Sequence, residues 1–372
     1  MKQSVVFVIY SMNVGGVEKA LLGVINNYIT QGWDVHIAML SISGGFLSYI
    51  PKSVTIHKIS DFERVRPIIH NPLKPQIFRA LKKGHPLQAC RFTIYLLSQK
   101  YCHSTLLFYR YIFKNMAMLC EQTFDLAVAF AGPDSFIDYY VSKKINSKEK
   151  WGWIHFDVSK FGIDKSIIAD SYKDYSCINV VSVQAKSIFD KTFPQFAHKT
   201  KYTPNIVDAR MIECMSKEDI QLPQKICSKR RIILTVGRIS KEKGQFMALQ
   251  ALNILVKKGF HDLQWWFVGD GTDMERCRNY VNEAHLDEYV AFWGVQANPY
   301  PYMVKCDVYV QPSMHEGFCI TLSEAKLFGM PIVVTDFTGA REQLSEYTNY
   351  KQIVKYNKIQ LADAINKVIT QL

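Results

Sequence analysis

The chain has 372 residues and carries 45 Lys and Arg against 33 Asp and Glu, a formal charge of +12. With 48% hydrophobic and 21% charged residues it is too apolar for a disordered chain, and its length exceeds any small disulfide or zinc scaffold and suits two α/β domains. Nine cysteines with no Cys-x-x-Cys pair fit a reduced compartment, and the positive excess asks for an acidic partner: nucleic acid, anionic lipid or a phosphate-bearing small molecule.

The N-terminal run SVVFVIY reads as a first strand, because no small-residue cleavage signature follows it. A glycine turn, SMNVGG, leads into a helix closed by Gly32, in which Val17, Ala20, Leu21, Val24, Ile25 and Tyr28 form one buried stripe before the strand DVHIAML. Gly15 and Gly16 follow the strand and open the helix, where bare N–H groups and the helix dipole can approach an anion; a tight βα turn without a ligand is the alternative. No apolar stretch approaches the roughly 18 residues of a membrane span, so the expected location is the cytoplasm or the cytosolic face of a membrane.

Residues 64–120 contain no Asp or Glu and carry Arg64, Arg66, Lys74, Arg79, Lys82, Lys83, Arg91, Lys100, Arg110 and Lys114, all but two of the net positive charges of the chain. The stretch is also aromatic, as in FTIYLL and LLFYRYIF, a composition suited to the headgroup region of an anionic membrane. The other reading is a helical subdomain with core aromatics and solvated cations. Nucleic acid is disfavoured, because no helix-turn-helix, RRM or zinc-finger pattern accompanies the charge.

Further strands are expected at 125–131, 151–155 and 178–183, ending an N-terminal domain 1–205. The polar stretch 206–229 contains Pro223 and reads as a linker. The C-terminal domain, 230–372, repeats the opening plan as RIILTVG, RISKEKG, QFMALQALNILVKKG and LQWWFVG, and adds the strands YVAFWG, DVYVQPS and PIVVTD. Continuous apolar strands alternating with helices predict two doubly wound, parallel α/β domains facing across a cleft, with ligands at the carboxyl ends of the strands.

GDGTDM at 269–274 has Met274 where a dinucleotide fingerprint needs Gly or Ala, and GRISKEKG lacks the Walker spacing, so a nicotinamide dehydrogenase or P-loop nucleotidase is disfavoured. Arg238 and Lys243 follow a buried-type strand and are spaced to clamp a diphosphate; an ordinary solvated loop is the alternative. In PSMHEGFCITLSEAKLFGMPIVVTD, a short helix is expected over 321–328, with Glu316 before it, Glu324 in its first turn and the N–H groups of Gly317, Phe318, Cys319 and Ile320 directed at a phosphate. Thr321 and Glu324 also fit a capping box, and Glu316 an exposed loop.

The stretch EGFCITLSE resembles the Glu-x7-Glu signature of glycosyltransferase family 4, retaining enzymes of the GT-B fold with two Rossmann-like domains. GGVEKAL, SVQAKSIF, YTPNIVD, VGRISKEKG, FVGDG, FWG and PIVVTDFTG match in order, and residues 60–120 lie outside the likeness. The resemblance implies that Arg238 and Lys243 bind the donor diphosphate, Glu324 the nucleotide ribose and Glu316 the donor sugar. It implies that Gly15 and Gly16 lie near the diphosphate and acceptor, that Phe318 and Cys319 approach the sugar by their backbone, that Gly294 and Val295 lie near the base, and that His155 reaches the sugar at the reaction centre. Cys319 stands where the family often has a second glycine, which narrows the expected sugar pocket or marks a subfamily. The final LADAINKVITQL stands where relatives commonly continue with helices that cross back to the first domain, so weaker domain closure is expected.

The expected activity is transfer of a sugar, with retention, from a nucleoside diphosphate sugar to a hydroxyl of a lipid-linked or cell-envelope saccharide. No metal and no cofactor beyond the donor substrate are expected, and 64–120 is the expected contact with an anionic membrane. A transferase acting on a soluble sugar, or a catalytically idle nucleotide-binding scaffold, are the alternatives.

Overall fold

The computed structural model describes residues 2–102, 104–160, 162–220 and 230–371. Two compact units divide the chain: one comprises Met1–Asn13, Val24–Val181 and Lys186–Pro204, the other Val14–Gly23, Ser182–Ala185 and Asn205–Leu372.

The first unit is built on seven parallel strands in the order β3-β2-β1-β4-β5-β6-β7. These are β1 (Ser4–Ile9), β2 (Asp34–Met39), β3 (Thr55–Lys58), β4 (Phe124–Gly132), β5 (Ser147–Ile154), β6 (Cys177–Val180) and β7 (Thr200–Tyr202). Every residue of β1 is buried, as expected of a central strand covered on both faces. Helix α1 (Gly16–Thr30) starts at the expected glycine pair, and Gly32 after it has φ +86°. The strand expected at 178–183 ends at Val180, and α8 begins at Val183, where the Ser182 hydroxyl accepts from the Ala185 N–H at 3.1 Å.

The basic stretch forms four helices: α2 (Asp61–His70), α3 (Leu73–Lys82), α4 (Pro86–Cys102) and α5 (Leu106–Lys114). Its aromatics divide. Phe92, Phe108, Tyr109 and Phe113 are buried, and Phe113 packs edge-on against Tyr139 of α6 at 4.8 Å, so LLFYRYIF is largely core. Phe78, Leu87 and Tyr101 are instead 73%, 78% and 69% exposed, all on α3 and α4. Next come α6 (Ser135–Lys144), α7 (Lys165–Tyr172) and α8 (Val183–Thr192), the last joining this unit from Lys186 on, and Asp134 and Asp164 cap α6 and α7 by accepting backbone N–H groups.

The second unit carries six parallel strands in the order β10-β9-β8-β11-β12-β13: β8 (Arg231–Val236), β9 (Leu263–Val268), β10 (Val290–Phe292), β11 (Val308–Gln311), β12 (Ile332–Thr335) and β13 (Lys351–Val354). Alternate residues feed two cores. Ile233, Trp265, Phe267, Val308, Val310 and Val333 join α10 (Gln245–Lys257), α11 (Met274–Glu283) and α15 (Lys358–Ile369) on one face. Leu234, Val236, Trp266, Val268, Tyr309, Ile332 and Val334 join α9 (Ala209–Ser216), α12 (Tyr300–Lys305), α13 (Ile320–Lys326) and α14 (Ala340–Leu344) on the other. That two-sided burial is why these strands read as unbroken apolar runs.

Three expectations are corrected here. Residues 209–216 of the expected linker are helix α9, because Asp208 accepts the Met211 N–H at 3.0 Å and Ile212 is buried in the second core; 221–229, including Pro223, lie outside the described residues. The strand expected at YVAFWG is confined to Val290–Phe292. Helix α13 begins at Ile320 and ends at Lys326, and its N-cap, Cys319, makes no side-chain capping bond, so Glu324 is neither in the first turn nor part of a capping box.

Candidate functional site

In the second unit β8 and β11 are neighbours at the point where the strand order reverses, so the loops leaving their carboxyl ends diverge around a crevice, the usual ligand position in open α/β sheets. The loop after β8 carries Arg238 and Lys243, and the loop after β11 carries Glu316, Gly317, Phe318 and Cys319. The two loops are held together by backbone. The Met314 N–H donates to the Glu242 carbonyl at 2.7 Å, and Gly244, with φ +77°, lies so close to the Pro312 carbonyl that a Cβ would collide with it. Only glycine fits that position, which begins α10 directly after Lys243.

The Lys243 ammonium lies 2.7 Å from both carboxylate oxygens of Glu316. Ser313 donates to Glu316 Oε1 at 2.7 Å and itself accepts from Gln311 Nε2 at 2.9 Å, while Tyr309 donates to Gln311 Oε1 at 2.6 Å. Burial works against the Lys243 charge, but the Glu316 carboxylate beside it prevails, and its pKa lies above the ordinary lysine value. Arg238 is mostly exposed and pairs with Glu242 of the same loop, and its charge also faces Glu18 of α1. Burial raises the Glu18 carboxyl above its ordinary value, with a backbone hydrogen bond and Arg238 opposing it.

Glu324 is 1% exposed. Its Oε1 accepts from Lys19 at 2.7 Å and from Tyr300 at 3.1 Å, and its buried Oε2 has no hydrogen-bond partner among the described residues. Burial raises its pKa above the ordinary carboxylate value, while Lys19 and Tyr300 pull it down. Lys19 belongs to Val14–Gly23, the segment that groups with the second unit, and a Cβ on Gly16 would lie 3.7 Å from Ile320. The second unit therefore gathers Gly16, Glu324 and Ile320. With its amide turned so that oxygen and nitrogen exchange places, Gln343 would accept the Cys319 N–H at 3.0 Å and donate to the Cys319 carbonyl at 3.2 Å. Gly294 has φ +67°, its carbonyl accepts the Gly269 N–H at 2.7 Å, and Val295 beside it is exposed.

His155 belongs to the first unit, directly after β5. It is buried against Phe130, with ring centroids 4.8 Å apart, and its Nε2 has no hydrogen-bond partner among the described residues. Burial holds its pKa down to about 3 against a hydrogen bond to the Phe130 backbone that raises it.

The motifs did not single out Lys19, Tyr300, Ser313 or Gln311. Lys19 left a trace: it is a cation in the opening turns of a helix, where the dipole favours anions. Ser313 and Gln311 are ordinary strand-end residues whose role shows only once Glu316 turns back onto them.

Residues 216–371 match the family described as glycosyl transferases group 1. An uncharacterized glycosyltransferase of Methanocaldococcus jannaschii is 27% identical over 203 residues, 53% of this chain and 50% of that protein. The Campylobacter jejuni N-acetylgalactosamine-N,N'-diacetylbacillosaminyl-diphospho-undecaprenol 4-alpha-N-acetylgalactosaminyltransferase is 33% identical over 139 residues, 37% of this chain and 35% of that protein. The chain thus spans half or less of the length of these curated relatives. Among solved structures, Anabaena HepE in complex with UDP and glucose superposes with a TM-score of 0.69 at 17% identity, covering 99% of this chain and 91% of that one. The fold is accordingly GT-B, with two parallel-sheet, Rossmann-like α/β units.

Two outcomes follow from the geometry. Replacing Lys243 by Met strands the Glu316 carboxylate and costs about 3 kcal/mol in urea unfolding, and adding Glu316→Gln restores at least half of it. An unfolded His155 takes up a proton below about pH 6.5 while the folded one stays neutral until about pH 3, so its contribution to stability is lost as pH falls through that window. Between pH 7 and pH 5 the native chain should lose about 2 kcal/mol more than His155→Gln, again by urea unfolding.

Proposed function

We propose that this protein is a retaining, metal-independent glycosyltransferase of the family 4 type, moving a sugar from a nucleoside diphosphate sugar to a hydroxyl of a lipid-linked or cell-envelope saccharide. The carrying observation is Lys243: a half-buried cation at the strand-order reversal, fixed on Glu316 by two of its three protons and left with one for a phosphate oxygen. The group 1 family match over 216–371 and the lipid-diphosphate-linked substrate named for the Campylobacter relative support the same reading.

Cleavage of the sugar–phosphate bond leaves negative charge on the diphosphate. Lys243 and Arg238 meet it as fixed positive charges, each worth about 3 to 4 kcal/mol in a favourable geometry. Glu316, with its oxygens engaged by Lys243 and Ser313, is a poor nucleophile and serves to orient the donor sugar. The departing phosphate oxygen then accepts the proton of the incoming hydroxyl on the same face, which retains configuration. Glu324 holds the ribose hydroxyls, Gly294 and Val295 border the base, and Gly15 and Gly16 border the diphosphate. His155 is the candidate for the sugar hydroxyls through its unpartnered Nε2.

A lipid-linked acceptor also gives the basic helices a task. Among the described residues no helix is long and apolar enough to cross a membrane, but α3 and α4 expose Phe78, Leu81, Leu87, Ile94, Leu97 and Tyr101 in a stretch whose only charges are positive. We place that surface on the anionic cytosolic leaflet, with the apolar side chains at headgroup depth.

A thermal-shift screen with UDP, GDP, ADP, CMP and their sugars tests the activity. A matching ligand at a hundred times its dissociation constant stabilises by about 2.7 kcal/mol, and Arg238→Ala should abolish transfer from the sugar it identifies. Transfer unaffected by Arg238→Ala, or no ligand among the set, refutes the assignment. For the membrane, Lys82→Gln with Lys83→Gln should weaken cosedimentation with phosphatidylglycerol vesicles about thirtyfold, at about 1 kcal/mol per cation. Indifference of the native chain to such vesicles removes this part of the proposal.

A further inference from the structure

Lys19 has no task in that reading, yet its surroundings are built. Its side chain is 12% exposed, its Nζ lies 2.7 Å from Glu324 Oε1 and 4.4 Å from the centre of the Tyr300 ring, and Tyr300 donates to the same oxygen. A lysine so early in α1 opposes the helix dipole, so helix stability does not explain it. The other half of the carboxylate, Oε2, is buried and has no hydrogen-bond partner among the described residues, which is costly unless something arrives to use it.

We propose that Lys19 is a positioning residue for the nucleotide: by pairing with Oε1 it keeps Glu324 charged and turned so that Oε2 is presented as an acceptor to the ribose hydroxyls. This rests on the nucleotide-sugar reading and adds a residue to it. Two hydroxyls on adjacent carbons donate most strongly to an ionised carboxylate, because a protonated one gives up acceptor capacity to its own O–H, and Glu324 is buried among apolar neighbours of its core. The titratable and charged groups that face it are Lys19 from α1, Tyr300 from α12 and Tyr309 from β11, and of these Lys19 alone carries positive charge. Without Lys19, burial acts on the carboxyl with only the Tyr300 hydroxyl against it, and the group takes up a proton at a higher pH. The loss is therefore greatest at low pH and recovers as pH rises.

The test is calorimetric titration of the full chain with whichever of UDP, GDP and ADP binds best, all three carrying the same ribose, between pH 6 and 8.5. The ratio of the dissociation constants of variant and native protein is taken at each pH, so that titration of the nucleotide phosphate cancels. Lys19→Met, which keeps the length of the stem over Tyr300, should weaken binding at least tenfold at pH 6 and less than threefold at pH 8.5. Lys19→Arg should stay near the native value throughout, and Lys19→Gln replaces the Met variant if that one fails to fold. A loss that is the same at every pH, or no loss, overturns the role of Lys19 while leaving the nucleotide-sugar reading in place. A native chain that binds none of the three nucleotides overturns both, and shows it before any variant is made.

Discussion

One ammonium shared between the oxygens of one carboxylate ties together the divergent loops of the second unit. Lys243 and Glu316 come from loops that leave neighbouring strands at the reversal of strand order, and each would be costly to bury alone. Their pairing is supported from below by Ser313, Gln311 and Tyr309, so every change in the strand-end network is felt at the same carboxylate. The close contact of Gly244 with the Pro312 carbonyl fixes the same two loops from the backbone side. A site that must hold its charges still while a diphosphate departs benefits from this double fastening.

Much of this was legible in the residues. The paired βαβ plans and the apolar strands follow from patterns that sheets covered on both faces produce, whereas the roles of Glu316 and Glu324 came from a family resemblance and Glu324 lies beyond the first turn of α13. The edge strands β3, β7 and β13 were not legible, because three or four half-exposed residues carry no periodicity. Helix α9 was hidden for a related reason: its one deeply buried residue, Ile212, is too little signal against a polar background. The partner of Glu324 was invisible altogether, since nothing local connects a glutamate on α13 with a lysine near the start of the chain.

The basic segment shows the same division in another form. Its charge is a count, and a count survives folding unchanged. Which of its aromatics are core is a matter of packing, and LLFYRYIF, the more conspicuous run, turned inward while the less conspicuous residues of α3 and α4 turned outward. An apolar surface among cations is left on α3 and α4, beside the core aromatics that a helical subdomain would bury.

The ion pair of Lys19 with Glu324 has a consequence in time. About 300 residues separate the two, so at about 5 to 20 residues per second the ribosome needs roughly 15 to 60 s after making the lysine to deliver its counter-ion. Through that interval Val14–Gly23 is a nascent helix end waiting for a domain that does not yet exist. The first α/β unit must therefore tolerate an unfinished opening segment during synthesis.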